Sequence, residues 1–156
     1  MGKTFWEDVE RGALGESVVW NYLSSLDNIR SIIDVRKDKR YFNKEDVDFL
    51  VQTWKNDIYK IEIKTDFKAH ETNNLFYEIK TLTDKGCFDR TKSDIIFYYI
   101  PQLNQILKVG VDRIRKYITN NSNNLKVING GDYGTTGYLI NIDMLEKSNV
   151  LKKIQL

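Results

Sequence analysis

Ile95-Ile96-Phe97-Tyr98-Tyr99-Ile100 is an unbroken apolar run closed by Pro101, the chain's only proline. A strand with one wet face alternates apolar and polar residues. A run that is apolar at every position reads as a strand buried on both faces. Its sheet must then carry a packed layer on each side, which a helix bundle or a single-layer sheet cannot supply. The run therefore points to an α/β or α+β fold with a mixed central sheet flanked by helices.

The rest of the chain is read around that strand. Residues 5–26 predict one helix, with Leu14, Val18, Tyr22 and Leu26 at helical spacing and Val19 and Leu23 widening the stripe. Gly12 and Gly15 are poor helix formers, so either the helix begins near Ala13 or something passes close to them. Residues 29–36 predict a strand, and 37–46 a polar segment. Strands at 47–54 and 58–66 join through Lys55-Asn56-Asp57, a spacer that suits a tight hairpin. After a polar turn at 68–74 comes a strand at 75–82, then a loop at 84–93. Residues 105–111 read as the hairpin partner of the apolar run. Asp112 is the expected N-cap of a helix at 113–119. A polar loop at 120–124 and a glycine-punctuated stretch around 130–137 follow. A late strand is expected at 138–142, and a short helix capped by Asp143. No internal repeat appears, and 156 residues fit a single domain, 1–156.

Within this framework the charged residues are the informative ones. Val47-Asp48 opens one apolar strand, and Glu62-Ile63-Lys64 lies on the next. Alternation puts Glu62 and Lys64 on one face and Ile61 and Ile63 on the other. Across the hairpin Asp48 falls beside Glu62. Burying such charges unpaired is costly. Two carboxylates with a backbone carbonyl form the hard oxygen set that Mg²⁺ prefers, water completing the shell. A lysine beside them suits orientation of an attacking water or stabilisation of developing charge. The plainer alternative is a solvated Glu-x-Lys ion pair, which is common on strands. A second copy, Glu78-Ile79-Lys80, also lies on an apolar strand. Glu62 could then be the upstream acid, with Glu78 and Lys80 as the core pair. The first assignment is preferred, and Glu78 is expected to join the site through pairing of its strand with that of Glu62.

Together with Glu16 in Gly15-Glu16-Ser17-Val18-Val19, these residues resemble the PD-(D/E)xK nuclease superfamily, whose core is a helix, three strands, a helix and a further strand. The likeness covers roughly the first half of the chain, and Val47 stands where the superfamily's name has proline. The order helix Glu, Asp, Glu-x-Lys is also similar to that of Holliday-junction resolvases. The resemblance implies a restriction-endonuclease-like fold and a Mg²⁺- or Mn²⁺-dependent endonuclease cutting DNA, including branched DNA, as a homodimer. It assigns Asp48, Glu62 and the Ile63 carbonyl to the metal, Lys64 to the attacking water, and Glu16 to a position near the metal. The alternatives are a non-catalytic nucleic-acid-binding module of the same fold and an inhibitor- or immunity-type protein-interaction domain.

Nucleic-acid contacts are expected from Arg36, Lys37, Lys39 and Arg40, which interleave with Tyr41 and Phe42, and from Arg90 and Lys92. The net charge of +2 neither announces nor excludes such a partner. Cys87 is the only cysteine, so no internal disulfide or cysteine zinc cluster forms. With no apolar N-terminal run and no membrane-length segment, a cytoplasmic protein is expected. His70, the only histidine, lies in a polar turn and reads as a surface residue.

Overall fold

The computed structural model describes residues 5–80, 85–129 and 134–156. Along the chain run α1 (Phe5–Ser24), β1 (Ile29–Asp34), α2 (Lys39–Glu45), β2 (Phe49–Thr53), β3 (Ile58–Thr65) and α3 (Ala69–Thr72). Then come β4 (Asn74–Lys80), α4 (Cys87–Arg90), β5 (Ile95–Ile100), β6 (Gln105–Gly110) and α5 (Val111–Asn121). The last elements are β7 (Lys126–Asn129), β8 (Thr136–Asn141), α6 (Ile142–Lys147) and β9 (Leu151–Gln155). The fold is α+β. A six-stranded sheet has the order β1-β2-β3-β5-β6-β9, and a three-stranded sheet the order β4-β8-β7. Every pairing is antiparallel except β3 with β5, which is parallel. The large sheet is therefore mixed.

The apolar run is β5, and its burial on both faces explains its composition. Phe97 and Tyr99 pack with Val19 and Leu23 of α1, with Phe49, Val51, Ile61 and Ile106 around them. Ile96, Tyr98 and Ile100 face the other way, onto Leu75 and Tyr77 of β4, Ile114 and Ile118 of α5, and Leu145 of α6. Each such side chain contributes roughly 1.5–3 kcal/mol by leaving water. One face is thus covered by a helix, as expected. The other is covered by a second sheet together with short helices, rather than by helices alone.

Local chemistry explains where the remaining expectations fail. The polar segment 37–46 contains a helix, α2, because the Asp38 carboxylate accepts the Arg40 N–H and caps it. Asp46 then takes a left-handed conformation (φ 50°), which Asp tolerates better than most residues, and turns the chain into β2. Asp112 is not the cap of α5; the N-cap is Gly110, which makes no side-chain bond. Asn141, not Asp143, caps α6 by accepting the Met144 N–H. Two short strands, β7 and β9, were not expected at all. The β4 strand is described to Lys80, so the rest of the expected 75–82 segment lies outside the described residues, as do residues 130–133 of the glycine-rich stretch.

In α1 the buried stripe begins later than the periodicity suggests: Val19 and Leu23 are buried, but Leu14 is 43% exposed. The helix runs through both glycines. Gly15 meets a close neighbour, since a Cβ there would overlap the Thr65 hydroxyl, whereas Gly12 has open space. Among the described residues no helix is long and apolar enough to cross a membrane.

Candidate metal centre

Asp48 lies one residue before β2, and its backbone is tied on both sides. Its N–H donates to the Ile61 carbonyl (2.8 Å), and its carbonyl accepts from the Val35 N–H (3.0 Å). Phe49 and Val51 point into the α1-side core, so alternation turns Asp48 to the opposite face. Ile61 likewise points towards α1, leaving Glu62 and Lys64 on the face that Asp48 shares. The two carboxylates therefore stand side by side on adjacent strands. Glu62 pairs across β3–β5 with Ile96 and is only 6% exposed.

The polar contacts within this group are specific. The Ile63 N–H donates to the Asp48 Oδ2 at 2.7 Å. In an extended residue the N–H and the C=O point to the same strand edge, so the Ile63 carbonyl also faces the Asp48 side. Lys64 Nζ stands 3.0 Å from Glu62 Oε1. Burial pushes the Asp48 carboxyl up to about 7, and the negative charges of Glu16 and Glu62 push the same way. The Ile63 N–H and the Lys64 charge oppose that rise. A carboxyl held in this way gains much from a cation and has one oxygen turned away from its backbone donor.

Glu16 reaches the same neighbourhood from α1, close enough for its charge to act on Asp48. Its carboxylate is ion-paired with Arg36, whose guanidinium also binds Asp34 at 2.6 Å. Among the described residues, no three His, Cys, Asp or Glu side chains are grouped so as to hold a metal ion. The centre is a pair of carboxylates, with Glu16 drawn towards Arg36.

Glu78 and Lys80 are not brought to this pair by strand pairing. Their strand, β4, pairs with β8 in the small sheet and not with β3. Leu75 and Tyr77 point into the core between the sheets, so alternation turns Glu78 away from it. The expected pairing with the Glu62 strand is thereby overturned, for a physical reason: the β3 edge is already occupied by β5.

The basic residues divide into two groups. Arg36, Arg40 and Arg90 are engaged by Glu16 and Asp34, by Asp38 (2.8 Å), and by Asp46 (2.6 Å), respectively. Lys37, Lys39 and Lys92 are exposed. Asp34 and Asp46 were not singled out from the sequence. The Asp34-Val35-Arg36 spacing carried a local signal for the first. Asp46 meets Arg90 from 44 positions away, which no local pattern reveals. His70 is partly buried and stands 3.6 Å from Glu71, away from this centre in the sequence and on another element. Comparison of the chain with family profiles, with curated proteins and with solved structures finds no match.

Proposed function

We propose that the chain is a Mg²⁺- or Mn²⁺-dependent endonuclease that hydrolyses DNA phosphodiester bonds. One observation carries this reading: Asp48 and Glu62 converge from adjacent strands around the Ile63 backbone, with Lys64 on Glu62 and the Asp48 carboxyl raised towards neutrality. The donors suit the ion: two carboxylates and a carbonyl are hard oxygen ligands, leaving positions for water. Asp48, Glu62 and the Ile63 carbonyl would hold the cation. When bound, a divalent ion supplies an acidified water and charge neutralisation at the phosphate. Lys64, which stands on Glu62, would orient the attacking water and offset the charge that grows on the phosphate oxygens. Glu16, close enough for its charge to act on Asp48, would offer a third carboxylate to hold a further water if Arg36 turned to a phosphate. Lys37, Lys39 and Lys92 would meet the DNA backbone, a role that fixes position rather than sequence.

The order of elements gives further support. The chain runs α1, then β1 to β3 antiparallel, then a crossover to β5 parallel to β3. That order resembles the PD-(D/E)xK core, with two departures: α2 stands between β1 and β2, and the crossover contains α3, β4 and α4 rather than a single helix. Branched DNA and a homodimer belong to the same reading, through the likeness to resolvases.

The test is to incubate the purified protein with branched, single-stranded and linear duplex DNA, with and without Mg²⁺ or Mn²⁺. The expected result is metal-dependent cleavage that Asp48→Ala and Glu62→Ala each abolish while the fold is retained. Undiminished cleavage in both variants would sink the site. Absence of any cleavage together with a stable protein partner would favour an interaction domain instead.

A further inference from the structure

Helix α1 ends at Ser24 and leaves the hairpin end of the large sheet uncovered on its own face. A cavity of about 490 Å³ opens there, lined by Tyr22, Leu26, Thr53, Trp54, Ile95 and Phe97 among others. Its volume falls within the roughly 300–1,000 Å³ range of small-molecule sites and far exceeds the ~30 Å³ of one water. The lining is mainly apolar and rich in rings, with Tyr22 packed edge-on against Phe97 at 6.2 Å. Trp54, at its edge, is 65% exposed.

Two polar features are unexplained by the fold. Thr53 lines the cavity on a residue only 9% exposed, and its hydroxyl, itself shut off from solvent, has no hydrogen-bond partner among the described residues. A buried polar group left unmet is costly, so native structures rarely keep one without a reason. The second feature is charge. Lys108 lines the cavity from β6 and lies directly opposite Lys152 of β9. Residues directly opposite share a face, and like charges placed so repel. Lys55 also lines the cavity, and Asp57 is the single acid there.

We propose that this cavity binds a planar aromatic anion. The ring sits among Tyr22, Phe97 and Trp54, and the acidic group lies beside Lys108, whose cross-strand neighbour Lys152 adds a second positive charge. The site is separate from the metal centre. Thr53 lies five positions from Asp48 along an extended strand, roughly 17 Å at about 3.3 Å per residue. The cavity is also on the other face of the sheet. This proposal and the nuclease reading can therefore fail independently.

The experiment uses two fluorescent probes on the full chain: 1-anilinonaphthalene-8-sulfonate and its neutral analogue N-phenyl-1-naphthylamine. Saturable one-to-one binding of both is expected, with near-ultraviolet circular dichroism showing intact packing. Lys108→Gln with Lys152→Gln should weaken the sulfonate at least tenfold and leave the neutral probe within twofold. Leu26→Trp, which fills the cavity, should abolish binding of both. No saturable binding up to millimolar probe would overturn the proposal. So would equal losses of both probes in the double lysine variant. Binding unchanged in a folded Leu26→Trp protein would also overturn it. If Leu26→Trp does not fold, the lysine comparison decides alone.

Discussion

Asp48 is the residue on which the proposed chemistry turns, and its environment makes its ionisation measurable. Its carboxyl is raised from 3.8 to about 7, first by burial and then by Glu16 and Glu62. The sign of the stability effect follows: below pH 3.8 both folded and unfolded chains hold the proton, and there is no penalty. As pH rises from about 4 to 7 the unfolded chain releases the proton first, so this group erodes stability; above 7 the loss is constant. Asp48→Asn, which keeps an acceptor for the Ile63 N–H, should remove that slope. It should stabilise the metal-free protein at pH 8 by on the order of 2 kcal/mol, about half of what the full shift implies, since Asp48 retains some contact with water. Urea melts at pH 5 and pH 8 check this; equal slopes in both proteins would refute it. The same proton competes with a cation, so Mn²⁺ affinity should rise with pH through about 7 in the native chain, as titration calorimetry would record. Lys64→Ala should lower metal-dependent cleavage by roughly a hundredfold or more while Mn²⁺ still binds. A parallel loss of both would make Lys64 a structural counter-ion of the buried Glu62 and nothing more.

Between elements, the contact that matters most for the centre is that of α1 with β3. Gly15 sits where a Cβ would overlap the Thr65 hydroxyl, and Glu16 is the next residue. Gly12, one turn earlier, has open space around it. Glycine-to-alanine changes inside a helix ordinarily stabilise by about 1 kcal/mol. Gly12→Ala should follow that rule. Gly15→Ala should reverse it, destabilising by about 1 kcal/mol or more and reducing cleavage as α1 carries Glu16 away. Thr65→Ala should restore much of both losses, because it removes the overlapping hydroxyl. Chemical denaturation of the two single variants and the double variant forms the cycle. Equal effects at the two glycines would mean that α1 is not seated by this contact. The glycines were conspicuous in the sequence, but only the packed pair distinguishes one from the other.

Across the whole molecule, the large sheet begins with β1 and is closed by β9, the last strand of the chain. Leu151 lies opposite Val109 and Ile154 opposite Ile106, so the last strand feeds both cores. Truncation after Asn149 should expose the edge of β6 and lead to association, visible by light scattering. A truncated chain that stays monomeric and equally stable would show that β9 is dispensable. The β9 strand was invisible in the sequence because Leu-Lys-Lys-Ile-Gln is too short and too polar for its pattern to identify a strand. Its partner β6 supplies the ladder. Other features were legible for good reasons. The β5 run, the 49–53 and 58–65 hairpin and the shared face of Glu62 and Lys64 follow from strand periodicity, which is local. The placing of Glu78 was not legible, because Glu-x-Lys reads the same on any strand and only topology decides which strand neighbours which. The same holds for Arg36 and Arg90, which look like free cations in sequence but meet Glu16 and Asp46 in space. By itself, then, the sequence determined the sheet with two covered faces and the Asp48, Glu62 and Lys64 alignment, since both rest on alternation between neighbours along the chain. Tertiary structure alone decided that the second face is covered by another sheet, that Glu16 is drawn to Arg36, and that Thr53 opens onto a cavity. Each of these depends on which distant segments come to lie together, and no local pattern encodes that.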